Sequence, residues 1–204
     1  MQEGRKLRVV VTGANGFVGR NVRNFLYHKG IELISLARKN FSNYKNEIKI
    51  ITPEYSNIRS ISKLKNSDAM IHLVGTGVQT IDSNFQNTNV NLTKVAIRLC
   101  KAAKIKKFVF ISGLGVKKQT NFSYFISKYK AEKEIIKSGL DFTIFRASHI
   151  IGCDDPLTKN LSRQIKLGVV LIPGSGKYQI QPISVTDVSN VILNSVISKK
   201  FSNK

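Results

Sequence analysis

The sequence predicts an α/β protein in which a doubly wound parallel sheet is covered by helices on both faces. Apolar, β-branched segments alternate with amphipathic helical segments over most of the chain. The apolar segments lack the polar alternation of a half-exposed strand, which indicates strands buried on both faces. A glycine-rich turn also joins the first apolar segment to the first helical segment, a connection typical of this class.

In the first half of the chain, apolar runs predict four strands and one helix. The helix, Phe17–Lys29, places Val18, Val22 and Leu26 on one face, and Gly30 follows as the residue that ends it. The predicted strands are Leu7–Thr12, Ile31–Leu36, Ile48–Ile51 and Ala69–Val74. This order of elements is a βαβ unit followed by two further strands.

The second half continues the alternation and then becomes less regular. Predicted helices are Asn87–Lys104 and Tyr124–Ser138, and predicted strands are Phe108–Ser112 and Phe142–Arg146. After Ile151 the pattern indicates a short helix, two short extended pieces and a final helix capped by Thr186 or Asp187: Leu161–Leu167, Val169–Ile172, Tyr178–Ile183 and Asp187–Ile197. We expect a single domain over residues 1–204, with residues 151–204 forming a small substrate-side region.

Length and composition are those of a water-soluble domain with one core. The chain has 204 residues, of which 42% are hydrophobic, and its mean hydropathy is −0.10. No apolar run approaches the roughly 20 residues that a membrane-spanning helix needs, and the charged N-terminus does not resemble a secretory signal. Two cysteines are too few for a disulfide framework, and Cys100 falls on the apolar face of a predicted helix. We therefore expect a cytoplasmic protein.

The net charge of +21, from 33 basic and 12 acidic residues, could indicate a polyanionic partner. The basic residues are mostly lysines spread along the whole chain, and no segment interleaves arginines with aromatic residues. This distribution favours a solvated basic surface over a nucleic-acid or anionic-membrane site, although that alternative stays open. No spacing of Cys, His and carboxylates predicts a metal site.

The glycine-rich turn is the strongest functional motif. Three glycines, Gly13, Gly16 and Gly19, follow the first strand and open the first helix. Their spacing allows a tight turn, close approach of backbone N–H groups to a pyrophosphate, and close packing of helix on strand. The helix N-terminus then presents free N–H groups and a positive dipole end to the phosphates. The motif predicts a Rossmann-type dinucleotide site that includes Asn15, Phe17 and Val18.

The residues after the second strand predict which dinucleotide binds. Sites that prefer NAD(H) place a carboxylate there to bind the adenosine ribose hydroxyls. This chain has Ala37-Arg38-Lys39 instead, and the guanidinium of Arg38 can bind a 2′-phosphate through two hydrogen bonds. The sequence therefore predicts NADP(H) in preference to NAD(H). The alternative is that Arg38 and Lys39 simply belong to the basic surface.

Several segments together resemble the short-chain dehydrogenase/reductase superfamily. The matching segments follow the family's order over nearly the whole chain: residues 12–19, 68–75, 89–93, 108–113, 124–132, 142–146 and 181–187. Within the superfamily the chain is similar to the atypical and extended branches. These include NAD-dependent epimerase/dehydratase-like proteins, NmrA-like proteins and the Rossmann-fold accessory subunit of respiratory complex I. Compared with extended relatives, we expect the C-terminal substrate lobe to be reduced or missing.

The resemblance assigns roles to four residues. Tyr124 and Lys128 match the family's Tyr-x-x-x-Lys pair and lie one helical turn apart, so their side chains share a face. In the family the tyrosine is the general acid/base, and the lysine binds the nicotinamide ribose and lowers the tyrosine's pKa. Asn89 matches an asparagine that helps to organise the lysine, and Ser112 is the candidate for a substrate hydrogen bond. Val74 and Gly75 complete the expected cofactor contacts.

Three departures from the family pattern make catalysis less certain than binding. The position of the catalytic Ser or Thr aligns with Gly113, an adenine-contacting acid is missing from residues 51–54, and the usual Arg-Pro is Arg146-Ala147. Two functions follow. One is an NADP(H)-dependent oxidoreductase or sugar-nucleotide epimerase/dehydratase-like enzyme acting on an unidentified small molecule. The other is a non-catalytic NAD(P)(H)-binding redox sensor or assembly subunit. A homodimer is compatible with both.

Overall fold

The computed structural model describes residues 5–53, 61–81, 83–172, 174–177 and 179–204. Within these residues, six parallel strands form one sheet in the order β3-β2-β1-β4-β5-β6. The strands are β1 (Arg8–Thr12), β2 (Glu32–Ala37), β3 (Ile48–Ile51), β4 (Ala69–His72), β5 (Lys107–Gly113) and β6 (Asp141–Ala147). The strand order reverses between β1 and β4, as in Rossmann folds. The predicted fold class is confirmed.

Helices cover the sheet on both faces because alternate residues of each strand point to opposite sides. One face packs against α1 (Phe17–His28) and α6 (Val185–Ile197), and the other packs against α3 (Leu92–Ala102) and α4 (Ser123–Ile136). On β5, Phe108 and Phe110 are fully buried on the α3–α4 side, while Val109 is fully buried on the α1–α6 side. Burial on both faces explains why the strand sequences are predominantly apolar, without the polar alternation of a half-exposed sheet.

Several predicted element boundaries need correction. Asn87–Lys104 was expected to be one helix, but it comprises part of a π-helical segment, Gln86–Asn91, followed by α3, which ends at Ala102. The strand predicted at Ala69–Val74 ends at His72. A one-turn helix, α2 (Ile61–Leu64), was not predicted, because four residues are too few for a periodic pattern.

The region after β6 differs most from its prediction. The helix predicted at Leu161–Leu167 is α5 (Pro156–Lys166), and it begins earlier because the Asp155 side chain accepts a hydrogen bond from the Thr158 amide and proline fills its first turn. The final helix is capped by Ser184, not by Thr186 or Asp187, since the Ser184 hydroxyl accepts from the Asp187 amide.

The two extended pieces predicted after α5 are mostly irregular. Val169–Ile172 contains no strand. Of the segment predicted at Tyr178–Ile183, only its last residue joins a strand, β8 (Ile183–Ser184), which pairs in parallel with β7 (Ile150–Ile151). Tyr178 lies outside the described residues. In the described part of the chain, no helix is long and apolar enough to cross a bilayer. Assignment of the whole chain to one domain stays a prediction.

Candidate functional site

Two adjoining clefts lie at the carboxyl edge of the sheet, where the strand order reverses. Both include Leu73, Val74 and Gly75, the residues that follow β4, so they form one continuous groove. The first cleft adds Gly13, Asn15, Gly16, Ala37, Arg38, Lys39 and Thr88, and the second adds Val18, Thr76, Gly77, Ile111, Tyr124 and Lys128. Ligands of open α/β sheets bind at this topological switch point.

The glycine loop has the geometry that its sequence predicts. Gly13 has a φ of +73°, and a Cβ there would lie 2.8 Å from the carbonyl of Leu73. A Cβ on Gly19 would collide with the carbonyl oxygen of Gly13, so this glycine lets α1 pack against the turn. Gly16 is the N-cap residue of α1, and no side chain caps that helix end. The first turn of the helix can therefore offer its N–H groups to an anion.

The remaining predicted loop residues divide between groove and core. Asn15 lines the first cleft, and its carbonyl accepts a hydrogen bond from Arg20 at 2.9 Å. Val18 lines the second cleft. Phe17 lines neither cleft, and its ring instead lies 3.4 Å from the place that a Cβ on Gly152 would occupy. The structure therefore gives the Phe17 ring a packing contact with the region after β6, and its contact with a cofactor stays a prediction.

Arg38 and Lys39 are exposed on the loop after β2 and line the first cleft. The next residues of this loop are held in place by Lys49, whose Nζ donates to the Asn40 side-chain oxygen at 3.0 Å and to the Phe41 carbonyl at 3.1 Å. The two cations therefore project from an anchored loop at the end of the groove that is distant from Tyr124.

A buried ion pair also anchors this loop, and the sequence analysis missed it. Arg23 of α1 forms two hydrogen bonds with Glu47, at 2.7 and 2.6 Å, and its guanidinium stacks 4.4 Å from the centroid of the Phe41 ring. Burial alone would raise the pKa of Glu47, but hydrogen bonds from Arg23 and Ser35 hold that pKa below its usual value. The partners are 24 residues apart in sequence, so no local pattern could reveal them.

Lys128 is buried at the far end of the groove. Its Nζ donates to the Ile111 carbonyl at 3.0 Å and lies 4.6 Å from the centroid of the Phe110 ring. Burial lowers the pKa of Lys128 to about 8, although nearby Glu132 acts in the opposite direction. A Cβ on Gly75 would approach Nζ to 3.1 Å, so the glycine leaves the ammonium open to the cleft.

Asn89 is fully buried within the π-helical segment, where such segments often mark functional positions. Its side-chain oxygen accepts from the Thr76 amide at 2.9 Å, and its Nδ2 donates to the Thr76 carbonyl and to the Ser127 hydroxyl at 3.1 and 2.9 Å. Asn89 therefore fixes the loop after β4 to α4, one residue before Lys128. This arrangement is different from the surface or N-cap role that an asparagine at a helix start often has.

Tyr124 lines the second cleft and its ring packs edge-on against Phe85 and Phe125. The family resemblance implied a lowered tyrosine pKa, but burial raises the pKa of Tyr124 in this structure. In the structure Lys128 directs its ammonium to the Ile111 carbonyl and the Phe110 ring. Among the described residues, no cation offsets the cost of burying a phenolate, and a lowered pKa in the presence of a cofactor stays a prediction.

Ser112 is the candidate for a substrate hydrogen bond on the strand beside Tyr124. Ser112 is buried, and its hydroxyl is enclosed without a hydrogen-bond partner among the described residues. The hydrogen bond from Ser112 to a substrate therefore stays a prediction. A Cβ on Gly113 would instead lie 3.4 Å from the Tyr124 hydroxyl. Position 113 is therefore the one from which a side chain would reach the tyrosine, and glycine leaves it empty.

No metal site is evident among the described residues, in which no three His, Cys, Asp or Glu side chains cluster to hold an ion. Glu54, the only acid in the segment where an adenine-contacting acid was sought, lies outside the described residues. The polar groups along the groove are backbone amides at the start of α1, the exposed cations of Arg38 and Lys39, the buried ammonium of Lys128 and the phenol of Tyr124.

Comparison with known proteins agrees with this geometry. A model of the NAD dependent epimerase/dehydratase family matches residues 9–200. The chain is 27% identical over 195 residues to NADH dehydrogenase (ubiquinone) 1 alpha subcomplex subunit 9, mitochondrial, of Mus musculus, covering 91% of this chain and 52% of that protein. It is 23% identical over 209 residues to the uncharacterized sugar epimerase YhfK of Bacillus subtilis, covering 97% and 92% of the two chains.

A solved structure with the same fold is MoeE5 in complex with UDP-glucose and NAD. It superposes with a TM-score of 0.82 at 20% identity, covering 96% of this chain and 73% of that chain. At this identity the likeness concerns the fold alone. The chain spans about half the length of the mouse relative and nearly all of the Bacillus relative.

Proposed function

The chain belongs to the NAD dependent epimerase/dehydratase family, and from this premise we propose that it binds a nicotinamide dinucleotide along the groove, with NADP(H) preferred over NAD(H). The observation that carries the proposal is the continuity of the groove, which runs from Arg38 and Lys39 past the glycine loop to Tyr124 and Lys128. An extended dinucleotide needs these features in this order: cations at a 2′-phosphate, amides at the pyrophosphate and a polar end at the nicotinamide.

The preference for NADP(H) rests on charge and anchoring. Arg38 and Lys39 line the groove where a ribose-binding carboxylate would otherwise stand. The loop that carries them is held by Lys49 and by the Arg23–Glu47 pair. Because the loop is ordered before a ligand arrives, little conformational entropy is lost when its cations bind a phosphate.

Hydride chemistry at the opposite end is the first candidate activity. The bound dinucleotide would supply or accept hydride at a carbonyl or alcohol carbon of a small molecule. Tyr124 would donate its phenolic proton to the carbonyl oxygen during reduction and recover a proton from solvent. Lys128, whose ammonium is open to the cleft, would bind the ribose hydroxyls beside it. Its pKa of about 8 keeps most of the lysine charged at neutral pH.

Binding without catalysis is the second candidate, and the vicinity of Tyr124 favours it. Gly113 supplies no hydroxyl to polarise a substrate, Ser112 is buried, and burial raises the pKa of Tyr124. A protein with this groove could report the redox state of the dinucleotide or serve as a subunit of an assembly. The mouse relative carries the name of a complex subunit and the Bacillus relative that of an epimerase, so relatives of both kinds share the fold.

Calorimetric titration with NADPH and NADH tests the cofactor proposal. We expect NADPH to bind at least several-fold more tightly than NADH, and Arg38→Ala to remove most of this preference by losing about 1.5–3 kcal/mol of NADPH affinity, the usual worth of a hydrogen bond to a charged group. NADH affinity should change little. Arg98→Ala, which removes an exposed arginine of α3 remote from the groove, is the matched control. Equal affinity of the wild-type protein for the two cofactors would refute the preference.

Tyr124→Phe separates the two candidate activities. The variant keeps the ring and its packing but loses the transferable proton, so dinucleotide affinity should stay within about twofold, because the phenol contributes little to binding. If a screen of carbonyl and alcohol substrates finds turnover, the variant should abolish it. Turnover that survives in Tyr124→Phe would show that another group moves the proton. Tight dinucleotide binding with no turnover in any substrate class would favour the sensor or subunit.

A further inference from the structure

His72, the last residue of β4, is buried at the centre of a hydrogen-bond chain behind the groove. Its Nδ1 lies 2.7 Å from the Thr12 hydroxyl, and its Nε2 lies 3.1 Å from the Thr93 hydroxyl. The imidazole stacks on Phe110, with 5.9 Å between ring centroids, and only 1% of the residue is exposed. Nothing in the sequence pattern distinguishes it from an ordinary strand residue.

The direction of each hydrogen bond follows from the number of available protons. The Thr93 hydroxyl donates its single proton to the Asn89 carbonyl at 2.8 Å, so it must accept from Nε2–H of His72. Burial, together with the charge of nearby Lys128, lowers the pKa of His72 to about 3, and the ring is therefore neutral. A neutral ring protonated at Nε2 has an unprotonated Nδ1, which accepts from the Thr12 hydroxyl.

The hydrogen-bond chain from Thr12 through His72 and Thr93 to Asn89 connects three separate walls of the groove. Thr12 immediately precedes Gly13 of the glycine loop, and His72 immediately precedes the Leu73–Gly75 segment that both clefts share. The far end is the carbonyl of Asn89, whose side chain holds Thr76 and Ser127. A shift of any member would move the others, because the interior is close-packed and each polar group of this hydrogen-bond chain is bonded to the next.

We propose that His72 is a positioning residue that locks the glycine loop, the segment after β4 and the π-helical segment into one arrangement and so sets the groove's dinucleotide affinity. The proposal rests on the proposed function, since it concerns affinity for the same ligand. An apolar ring at position 72 could fill the space but would leave the Thr12 hydroxyl without its acceptor and the Thr93 hydroxyl with the Asn89 carbonyl as its remaining partner. The link between the glycine loop and the π-helical segment would then be broken, and the two walls could shift relative to each other.

The test compares His72→Phe, His72→Gln and Leu99→Ala by calorimetric titration with NADPH and by urea unfolding. His72→Phe should weaken NADPH binding by about tenfold, the usual scale for leaving one buried hydroxyl unpaired. Glutamine can donate at one end and accept at the other, so His72→Gln should recover most of the affinity. Leu99→Ala should destabilise the core cluster that includes Phe108 and Phe110, but Leu99 is not a member of the hydrogen-bond chain. The NADPH affinity of this variant should stay within about twofold of the wild-type value.

Nitrogen-15 NMR of the ligand-free protein adds a readout that does not depend on the dinucleotide. His72 should show the neutral tautomer protonated at Nε2, and His72→Phe should shift the side-chain amide of Asn89 and the backbone amide of Thr76. If His72→Phe does not fold, Thr93→Val removes one link with almost no change of volume and should give the same loss of affinity.

The outcomes separate this proposal from the proposed function. Absence of NADPH and NADH binding by the wild-type protein would refute the binding function, and with it any control of affinity by His72. Normal binding by the wild-type protein together with unchanged binding by His72→Phe and Thr93→Val would overturn only the role of His72. The opposite tautomer, protonated at Nδ1, would also overturn it, because Thr93 would then donate its proton to Nε2 and the link to the Asn89 carbonyl would be lost.

Discussion

The six-stranded sheet and the region between β6 and α6 differ in how far their apolar side chains are buried. In the sheet, residues such as Val10, Ile71 and Phe108 are completely buried, and both faces are covered by helices. In the second region, α5 has no buried residue, and Leu167 and Leu171 are 80% and 75% exposed. The second region therefore exposes apolar side chains that the sheet would bury.

The difference shows which part of the molecule has a closely packed interior. The groove is formed from strand ends, a helix N-terminus and loops tied by buried polar pairs, so its geometry is set by rigid elements. The second region is tied down at few points, chiefly the short β7–β8 pairing and the Asp155 cap of α5. Dinucleotide binding should therefore depend on residues of the first region, and changes in the second should leave it intact.

The largest expected effect is loss of stability from a cavity in the sheet. Phe108→Ala should lower the free energy of unfolding by about 3–5 kcal/mol, as truncation of a buried phenylalanine usually does. Phe108 is fully buried and packs with the α3–α4 side of the core. Urea unfolding followed by circular dichroism measures the change. A loss below about 1 kcal/mol would mean that the core is loosely packed and that the contrast between the regions is overstated.

A branched side chain in the glycine loop should act on binding instead of on the fold. Gly16 has an extended backbone with φ of −71°, so valine can adopt it, but the added methyl groups would block the amides at the start of α1. We expect Gly16→Val to weaken NADPH binding by roughly a hundredfold, about 2.7 kcal/mol. The control is Ser162→Val, which adds the same side chain to exposed α5 and should bind normally. Equal binding by the two variants would place the cofactor outside this groove.

The same contrast separates what the sequence could predict from what it could not. The glycine loop, the strands and α1 were predictable because their signals are local: turn glycines, apolar runs and a 3.6-residue period. Predicted helix boundaries were wrong where a weak local signal was overlooked. Asp155, for example, caps α5 and places its start earlier than the apolar pattern indicated. In the region after β6, short segments and irregular backbone gave no period to read.

The missed parts of the site are contacts between residues remote in sequence. His72 meets Thr12, 60 residues away, and Thr93, 21 residues away. Arg23 and Glu47 were not distinguishable from surface charges until the fold brought them together and buried both. The resemblance located Tyr124, Lys128 and Asn89 in the sequence but not the orientation of their side chains. The roles assigned to these residues stay predictions until variants are measured.

Lowering the pH should reduce the free energy of unfolding, because His72 is buried in its neutral form. The folded pKa of His72 is about 3 and the ordinary value is 6.5, so between these values only the unfolded chain binds the proton. Stability from this group is complete above about pH 6.5 and falls as the pH decreases towards 3, by at most about 1.4 kcal/mol per unit. Between pH 6.5 and 5, where carboxylates stay ionised, we expect a loss of about 2 kcal/mol.

Urea unfolding at several pH values checks this slope, with His72→Gln as the control. The glutamine variant should lose the part of the slope that belongs to His72, whereas Cys100→Ala, at another fully buried site of the same cluster, should keep it. A wild-type slope that His72→Gln leaves unchanged would assign the acid sensitivity to other groups. It would also mean that His72 is accessible to protons in the folded protein.

The smallest expected effect concerns the region between β6 and α6, where loss of an exposed apolar side chain should matter little. Leu171 is 75% exposed on an irregular segment, and its backbone amide donates to the Gln164 side chain at 2.7 Å, a bond that serine at this position would keep. Leu171→Ser should therefore change the free energy of unfolding by less than about 0.5 kcal/mol and leave NADPH affinity unaltered. The matched buried variant, Leu64→Ser, should cost several times more, because Leu64 is fully buried. If Leu171→Ser instead lowered the free energy of unfolding by more than about 1.5 kcal/mol, the Leu171 side chain would be buried against another apolar surface in solution. Sedimentation at two protein concentrations would then show whether that surface belongs to a second copy of the protein, since self-association depends on concentration.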